Sequence, residues 1–195
     1  MFDDPIIIDL TGTGYQLTSI RMGVSFDFLG NGKPAQMSWT AGNWKGGFLA
    51  LDRNGNGRID DGTELFGNVT PQLAPSTGQT RNGFRALAVY DQPEHGGNGD
   101  GWIDKNDAIY ASLLVWVDTN HNGVSEPGEL LSLQKAGIQR ISLNYNLSQW
   151  TDAYGNTFRY RAPIVAAVPS DQAAYDVLLQ QLGPNKAAAA VTKAR

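Results

Sequence analysis

Short apolar runs, separated by turns rich in glycine and asparagine, recur along this chain. Most have the length of roughly four to eight residues and the β-branched or aromatic content that are typical of strands. Residues 138–145 alternate apolar and polar positions, and we expect them to pair with residues 157–161 across the turn at 152–156. The pattern predicts strands at residues 5–10, 24–28, 36–40, 48–51, 114–117, 138–145 and 157–161.

Helical spacing is confined to a few segments. Phe84, Leu87 and Ala88 fall on one face of a predicted helix. Pro127 suits the first turn of another helix, and Gly137 suits its end. Predicted helices cover residues 82–90, 105–113, 127–137 and 170–182.

These elements together predict an α+β fold of small antiparallel sheets and short helices. We expect a β-rich N-terminal lobe at residues 1–70, an α+β lobe at 81–165 and a C-terminal segment at 166–195 with a partly disordered tail. Residues 70–80 are rich in Pro, Gln, Ser and Thr, which predicts a linker or mobile loop. A chain of 195 residues is long enough to bury a real core.

Two loops repeat the pattern Asp-x-Asn-x-Asn-Gly, one from Asp52 and one from Asp118. Oxygen-bearing side chains at positions 1, 3 and 5, with glycine at position 6, are typical of an EF-hand calcium loop. The second loop also has an acid at position 9 and a bidentate glutamate at position 12, and position 7 offers its backbone carbonyl. Its predicted ligands are Asp118, Asn120, Asn122, Val124, Glu126 and Glu129.

The loop from Asp52 is one residue longer than the pattern. Thr63 falls at position 12 and the glutamate follows it, and Gly62 allows the backbone to absorb the extra residue. The alternative for both loops is an Asx-rich turn without metal, because Asn, Asp and Gly favour turns on their own. The predicted ligands are Asp52, Asn54, Asn56, the Arg58 carbonyl, Asp60 and Glu64.

A third loop is recognised by taking Gly101 as position 6. Position 1 is then Gly96, which has no side chain, so an insertion must return an acid from upstream. Asp91 and Glu94 are the two alternatives for that position. The predicted ligands are Asp91, Asn98, Asp100, the Trp102 carbonyl, Asp104 and Asp107.

Two further segments, from Asp9 and Asp27, keep the same frame with too few acids. Thr11 and Thr13 replace ligands in the first segment, Leu29 replaces one in the second, and neither segment has an acid at position 12. Because ligand charge tunes calcium affinity, we expect tight turns without calcium. The fold is thus predicted to be organised around three EF-hand-like calcium loops.

Charge and composition agree with calcium as the cofactor. The formal net charge is −4, so about three Ca²⁺ ions would bring it to about +2. Acids that repel one another without the ion predict folding or stiffening on calcium binding. Asparagine at positions 3 and 5 predicts weak sites, on the order of 10⁻⁵–10⁻³ M, which suit an extracellular setting.

Several classes of protein are excluded by the same composition. Cysteine is absent, so the chain has no disulfide framework and no thiolate nucleophile. No apolar run approaches the roughly 18 residues of a membrane span, and the scattered basic residues predict no nucleic-acid partner. The acidic start is unlike a signal peptide and predicts a fragment of a larger exported chain. The oligomeric state has no signature in the sequence.

Four segments carry a family resemblance: PIIIDL at residues 5–10, LDRNGNGRIDDGTELFG at 51–67, WVDTNHNGVSEPGEL at 116–130 and ISLNY at 141–145. Together they resemble the calcium-dependent self-processing module of secreted repeats-in-toxin (RTX) bacterial proteins, and EF-hand-like modules near the ends of large secreted bacterial proteins. The resemblance covers residues 4–162. It implies a secreted, extracellular protein.

The resemblance also implies an autocatalytic reaction rather than a turnover enzyme. In self-processing members an Asp-Pro bond is cleaved when calcium folds the module, and Asp4-Pro5 matches that bond here. The aspartate carboxylate attacks its own peptide carbonyl to give a cyclic anhydride, which a lysine amine can capture as an isopeptide. The acceptor is a lysine of another protein or one of Lys45, Lys105, Lys135, Lys186 and Lys193.

Two other functions remain open at this point. The chain is alternatively a non-catalytic structural or adhesion module stabilised by calcium. A calcium-assisted carbohydrate site built on its tryptophans is the second alternative, against which stands the ordinary use of aromatic residues as core. Both histidines, His95 and His121, lie in the predicted loops and have no paired nucleophile, so hydrolase chemistry is not expected.

Overall fold

A computed structural model describes residues 4–167 and 173–182 of the chain. The architecture is antiparallel β-sheet, with one short α-helix, α1 (Gly83–Ala88), among these residues, and several 3₁₀ turns. None of the helices in the described ranges is long and apolar enough to cross a membrane. The strands are β1 (Ile6–Asp9), β2 (Val24–Phe26), β3 (Ala35–Met37), β4 (Gly46–Ala50), β5 (Trp102–Asp104), β6 (Leu114–Trp116), β7 (Leu130–Ser132), β8 (Ile138–Ser142), β9 (Asn146–Thr151), β10 (Thr157–Ala166) and β11 (Ala173–Leu178).

Nine of the strands form one sheet in the order β5-β8-β10-β11-β1-β4-β6-β7, and β9 pairs with β10 beside this path. The remaining two strands, β2 and β3, form a separate hairpin. Strand β1 lies inside the sheet, antiparallel to β11 on one side and to β4 on the other. The N-terminal strand is therefore fixed by pairing on both edges.

Strand β1 is buried on both of its faces. Ile6 and Ile8 pack into one apolar core, and Ile7 packs into the other, as the alternation of side chains in a strand requires. The three isoleucines are fully buried, and each such burial is worth roughly 1.5–3 kcal/mol. The continuous apolar run at residues 6–8 is thus explained by a central strand with a core on each side.

The second core is aromatic. The ring centroids of Trp39 and Phe48 lie 4.5 Å apart, and those of Phe48 and Trp116 lie 5.9 Å apart. Trp39 Nε1 donates a hydrogen bond to Asp118 Oδ2 at 2.7 Å, so this core supports the loop predicted to bind calcium. Trp39, Trp44 and Trp116 are buried as core residues, whereas Trp150 is 42% exposed.

The predicted α+β class with helix-flanked EF-hand-like loops is wrong, because the fold is all-β. Residues 127–137 form a single 3₁₀ turn (Pro127–Glu129) followed by β7, which pairs with β6. Residues 105–113 contain a 3₁₀ helix (Ala108–Ser112) instead of an α-helix. At residues 130–132, pairing with β6 has overridden the local helical signal.

The C-terminal segment shows the same override. Residues 173–178 form β11, which lies between β1 and β10 where a helix was predicted. Residues 170–172, where the predicted helix begins, lie outside the described residues. The helix predicted at residues 82–90 is confirmed in its α1 part, which Asn82 caps by accepting a hydrogen bond from the Arg85 backbone N–H at 2.9 Å.

The predicted pairing of residues 138–145 with 157–161 is also wrong. The hairpin across the turn at 152–156 joins β9 to β10, and β8 pairs with the later part of β10, where Ile164 faces Ile141. Strand β9 was missed because it is largely exposed and polar. Residues 70–80, predicted as a linker, have no regular secondary structure.

Candidate functional site

The loop from Asp118 is organised by hydrogen bonds to its own backbone. The N–H groups of Asn122 and Gly123 donate to Asp118 Oδ1 at 3.1 Å and Oδ2 at 2.8 Å. The N–H of Val124 donates to the Asn122 side-chain oxygen at 2.7 Å. Gly123 has φ 70°, in the left-handed region that glycine adopts without strain. Positions 1, 5 and 6 thus make the sharp turn of the predicted site.

The loop closes on Glu129, which is buried. Its Oε1 accepts from the Thr119 backbone N–H at 2.8 Å, and its Oε2 accepts from the Glu126 N–H at 3.4 Å. Asn122 Nδ2 donates to Glu126 Oε1 at 2.9 Å. The predicted acids at positions 9 and 12 are therefore both folded back onto the loop.

The loop from Asp52 repeats this scheme. The Gly57 N–H donates to Asp52 Oδ2 at 2.7 Å. Glu64 accepts from the backbone N–H of Arg53 at 2.9 Å and of Asp60 at 2.8 Å. Glu64 thus occupies the place that Glu129 holds in the other loop, as the predicted one-residue extension requires.

The third loop has Asp91 at position 1. Its Oδ1 and Oδ2 accept from the N–H groups of Gly99 and Gly101, each at 3.0 Å. Asp107 closes the loop, accepting from the backbone N–H of Asp104 at 2.8 Å. The alternative, Glu94, is exposed on the looped-out 3₁₀ turn Pro93–His95.

Glycine allows the insertion to loop out. A Cβ added at Gly97 would lie 2.1 Å from the carbonyl carbon of Asp91, so the chain can pass its own backbone only with glycine there. The Gly97 N–H donates to the Gln92 carbonyl at 3.0 Å and fixes the crossing. The role of Gly97 was not predicted from the sequence, although a glycine directly before the ligand segment is a signal for close backbone approach.

Two of the loops are joined at position 8. The Ile59 backbone N–H donates to Ser125 Oγ at 2.7 Å, and Ser125 Oγ donates to the Ile59 carbonyl at 3.3 Å. In the third loop, position 8 is Ile103, which pairs with Ile141 of β8. The loops from Asp52 and Asp118 therefore form a pair, and the loop from Asp91 is attached to the sheet.

Local contacts lower the pKa of one loop acid and raise the pKa of two others. Hydrogen bonds from the Asn54 and Asn56 amides lower the pKa of Asp60. Burial raises the pKa of Asp107 and of Glu129. The closing acids thus lie where an uncompensated charge is disfavoured, and a cation would relieve that cost.

The donors in these loops are carboxylate, amide and carbonyl oxygens, the set that a hard cation takes. Within residues 4–167 and 173–182, no three His, Cys, Asp or Glu side chains converge closely enough to hold a metal ion. In the three loops the carboxylates are bonded to backbone N–H groups and to asparagine amides. The chemistry of the donor set fits Ca²⁺.

The segments from Asp9 and Asp27 form the tight turns that were predicted. The Gly14 N–H donates to Asp9 Oδ2 at 2.7 Å, and the Gly32 N–H donates to Asp27 Oδ2 at 2.6 Å. This is the same contact between position 1 and position 6 as in the three longer loops. Position 12 of these segments is occupied by Ile20 and Ser38, so neither turn has a closing acid.

A different buried site surrounds Asp4 and Pro5, the predicted scissile bond. The Asp4 side chain is fully buried and forms an ion pair with the Arg159 guanidinium. Its Oδ1 accepts from the Asn68 backbone N–H at 2.7 Å. The Pro5 carbonyl accepts from the Val177 N–H at 3.0 Å, which continues the pairing of β1 with β11.

A second carboxylate shares the same arginine. Arg159 Nη2 lies 3.1 Å from Asp176 Oδ1, and the Gly83 N–H donates to Asp176 Oδ2 at 2.8 Å. Burial raises the pKa of Asp176 to about 7 against the lowering effect of Arg159. Neither Arg159 nor Asp176 was predicted from the sequence. A lone aspartate in the apolar segment at 173–179 was the only available signal.

Comparison with known proteins places this architecture in a family. A family model described as the SPM domain matches residues 6–180. The iron-regulated protein FrpA of Neisseria meningitidis serogroup C is 36% identical over 156 residues, which are 79% of this chain and 13% of that protein. The chain thus corresponds to a small part of the length of that relative. Since the family model covers the sheet from β1 to β11 and all three loops, this chain belongs to the SPM domain family.

Proposed function

We propose that this chain is a calcium-binding module of a secreted bacterial protein of the RTX type, taking about three Ca²⁺ ions in the loops from Asp52, Asp91 and Asp118. One observation carries the proposal: three loops of different length and insertion reach the same arrangement. In each, an aspartate at position 1 accepts from the N–H at position 6, and a buried acid closes the loop.

The electrostatics supports calcium as a folding ligand. The ligand sets contain three acids in the loops from Asp52 and Asp118 and four in the loop from Asp91. Without a cation, the repulsion between these acids opposes the folded loop. Calcium bound to the folded state alone would stabilise it by mass action. The sequence resemblance to RTX proteins supports the extracellular setting.

Calorimetric titration of chelator-treated protein with CaCl₂ tests this function. We expect a stoichiometry near three, dissociation constants on the order of 10⁻⁵–10⁻³ M, and a rise in Tm with calcium concentration. MgCl₂ is the matched control, because Mg²⁺ demands a smaller octahedral site. Absence of both binding heat and a calcium-dependent Tm would reject the proposal.

We propose self-cleavage at Asp4-Pro5 as a second function, favoured by the buried Asp4 carboxylate held by Arg159 and Asn68. A carboxylate fixed next to its own peptide carbonyl has lost the motions that oppose ring closure. Incubation with calcium followed by intact-mass measurement tests it. We expect a product that begins at Pro5, or adducts linked to lysine. An unchanged mass in protein that binds calcium would leave a non-catalytic calcium-stabilised module.

A further inference from the structure

We propose that Arg159 and Asp176 are the groups that drive scission of the Asp4-Pro5 bond. Arg159 holds the Asp4 carboxylate as the nucleophile, and Asp176 gives the proton that the departing Pro5 nitrogen requires. The inference rests on the proposed self-cleavage and assigns its acid and its positioning residue.

The sheet places the two carboxylates on one face. Asp176 lies directly opposite Ile6 in the pairing of β11 with β1. Side chains directly opposite each other project from the same face, and residues two apart in an extended chain also share a face. Asp4 precedes Ile6 by two residues, so Asp4 and Asp176 both project toward the core that contains Ile6.

Each carboxylate is held on both of its oxygens. Asp4 Oδ1 accepts a hydrogen bond from the Asn68 N–H, and Asp4 Oδ2 accepts one from the Arg159 guanidinium. Asp176 Oδ1 accepts a hydrogen bond from Arg159, and Asp176 Oδ2 accepts one from the Gly83 N–H. The arginine is fixed in turn by a bond from Nη2 to the Arg81 carbonyl at 3.1 Å. One planar guanidinium therefore sets the position of both acids.

The balance of charge distinguishes the role of Asp4 from that of Asp176. One guanidinium compensates one carboxylate, and a second charged carboxylate in the same buried site would be costly. Asp4 adjoins the reacting carbonyl and is the nucleophile, so Asp176, opposite Ile6 on the same face, is the carboxyl left to carry a proton. Burial raises the pKa of Asp176 to about 7, which favours its protonated form below that pH. Neighbouring carboxyls whose environments push their pKa values apart can serve as acid and nucleophile.

The reaction is balanced with these groups and water. An Oδ of Asp4 forms a bond to the Asp4 carbonyl carbon, which closes a five-membered anhydride. The bond from that carbon to the Pro5 nitrogen breaks, and the Asp176 proton passes to the nitrogen, leaving a secondary amine. Water, or a lysine amine, then opens the anhydride, and Asp176 regains a proton from solvent.

The backbone fixes the two sides of the bond differently. A Cβ added at Gly67 would lie 3.0 Å from the Asp4 carbonyl oxygen, so the reacting carbonyl is packed against this glycine. The Pro5 carbonyl and the strand after it are bonded to β11. The new terminus at Pro5 therefore stays in the sheet after scission, and cleavage leaves the fold in place.

The pH dependence of cleavage distinguishes a proton donor from a structural residue. The charged and titratable groups that face Asp176 are Arg159 and Tyr160 on β10 and Asp4 ahead of β1, and α1 contributes the Gly83 N–H. Arginine stays protonated in proteins. The rate is therefore expected to fall as pH rises through about 7, where Asp176 loses its proton.

The experiment measures the cleavage rate of the calcium-loaded full chain by intact mass between pH 5 and pH 9. Asp176→Asn should reduce the rate by roughly 10²–10⁴-fold and abolish the decline above about pH 7. Arg159→Lys keeps the positive charge but loses the planar guanidinium that contacts both carboxylates. This variant should cleave more slowly at all pH values. Asp152→Asn and Arg21→Lys are matched controls expected to cleave at the wild-type rate.

The outcomes separate the two proposals. A wild-type chain that binds calcium and stays intact rejects the self-cleavage, and this inference with it. A wild-type chain that cleaves with a flat pH profile overturns the inference alone, even if the Asp176 variant does not fold. An Asp176→Asn chain that keeps the wild-type Tm in calcium and the wild-type rate overturns it as well.

Discussion

The turns from Asp9 and Asp27 and the loops from Asp52, Asp91 and Asp118 begin in the same way. In all five, the aspartate at position 1 accepts from the glycine N–H at position 6, at distances between 2.6 and 3.0 Å. Only the three longer loops end on a buried acid. The contact between positions 1 and 6 therefore makes the turn, and the closing acid adds the charge that a cation needs.

The loop from Asp118 is flanked by strands, where an EF-hand loop is flanked by helices. Strand β6 leads into the loop from Asp118 and β7 leaves it, and the two strands pair with Trp116 opposite Leu130. The Val117 N–H donates to the Glu129 carbonyl at 2.9 Å. Strand pairing thus brings the closing acid back to the start of the loop.

Removal of a closing acid is the strongest test of the distinction between a turn and a calcium loop. Glu129→Gln should abolish one calcium site or weaken it by roughly 100-fold, about 2.8 kcal/mol, because a charged bidentate ligand is lost. Calorimetric stoichiometry should fall from three toward two. Glu94→Gln, an exposed glutamate outside the ligand sets, is the control and should leave all sites intact. Equal affinities in the two variants would contradict the assignment of Glu129.

The next largest effect is expected at the insertion in the Asp91 loop. Gly97→Ala places a Cβ against the Asp91 backbone, and we expect a loss of about 2 kcal/mol in the free energy of unfolding. That loss lowers Tm by roughly 4–8 °C for a chain of this size. Gly128→Ala is the control, since a Cβ there meets no atom within 4 Å. A Tm unchanged by Gly97→Ala would show that the crossing relaxes.

Local spacing made most of this site predictable. The ligand positions after Asp52 and Asp118 follow one another within a dozen residues, so they can be read without knowing the fold. Asp91 could not be separated from Glu94 in that way, because its return to position 1 depends on the backbone crossing at Gly97. The partners of Asp4 could not be predicted for the same reason, since Arg159 reaches Asp4 through a sheet that joins distant strands.

The fold, too, could be predicted only where the local sequence decides the structure. The buried run at residues 6–8 identified a strand because three consecutive isoleucines suit a position with a core on both faces. Residues 130–132 carried a helical signal after Pro127, yet they form β7 because β6 offers an open edge. Local preference decides such a short segment only when no partner strand competes.

Asp91→Asn tests whether the inserted loop follows the same rule as the other two. The charge at position 1 is lost while a hydrogen-bond acceptor is kept, so we expect about a tenfold weaker calcium site, about 1.4 kcal/mol. The measurement is calcium affinity at each site by calorimetry. Asp152→Asn, in the turn between β9 and β10, is the matched control. A larger effect from Glu94→Gln would assign position 1 to Glu94.

The smallest effect is expected at the turn from Asp27, and it sharpens the comparison most directly. Asp27→Asn removes one acceptor from the bonds that Asn31 and Gly32 make, which costs about 0.5–1.5 kcal/mol of stability. Calcium stoichiometry and affinity should not change, because this turn has no closing acid. The thermal shift is measured with and without calcium, and the decrease in Tm should be equal in both. A decrease confined to calcium-loaded protein would make the turn a fourth ion site and break the distinction between turn and site.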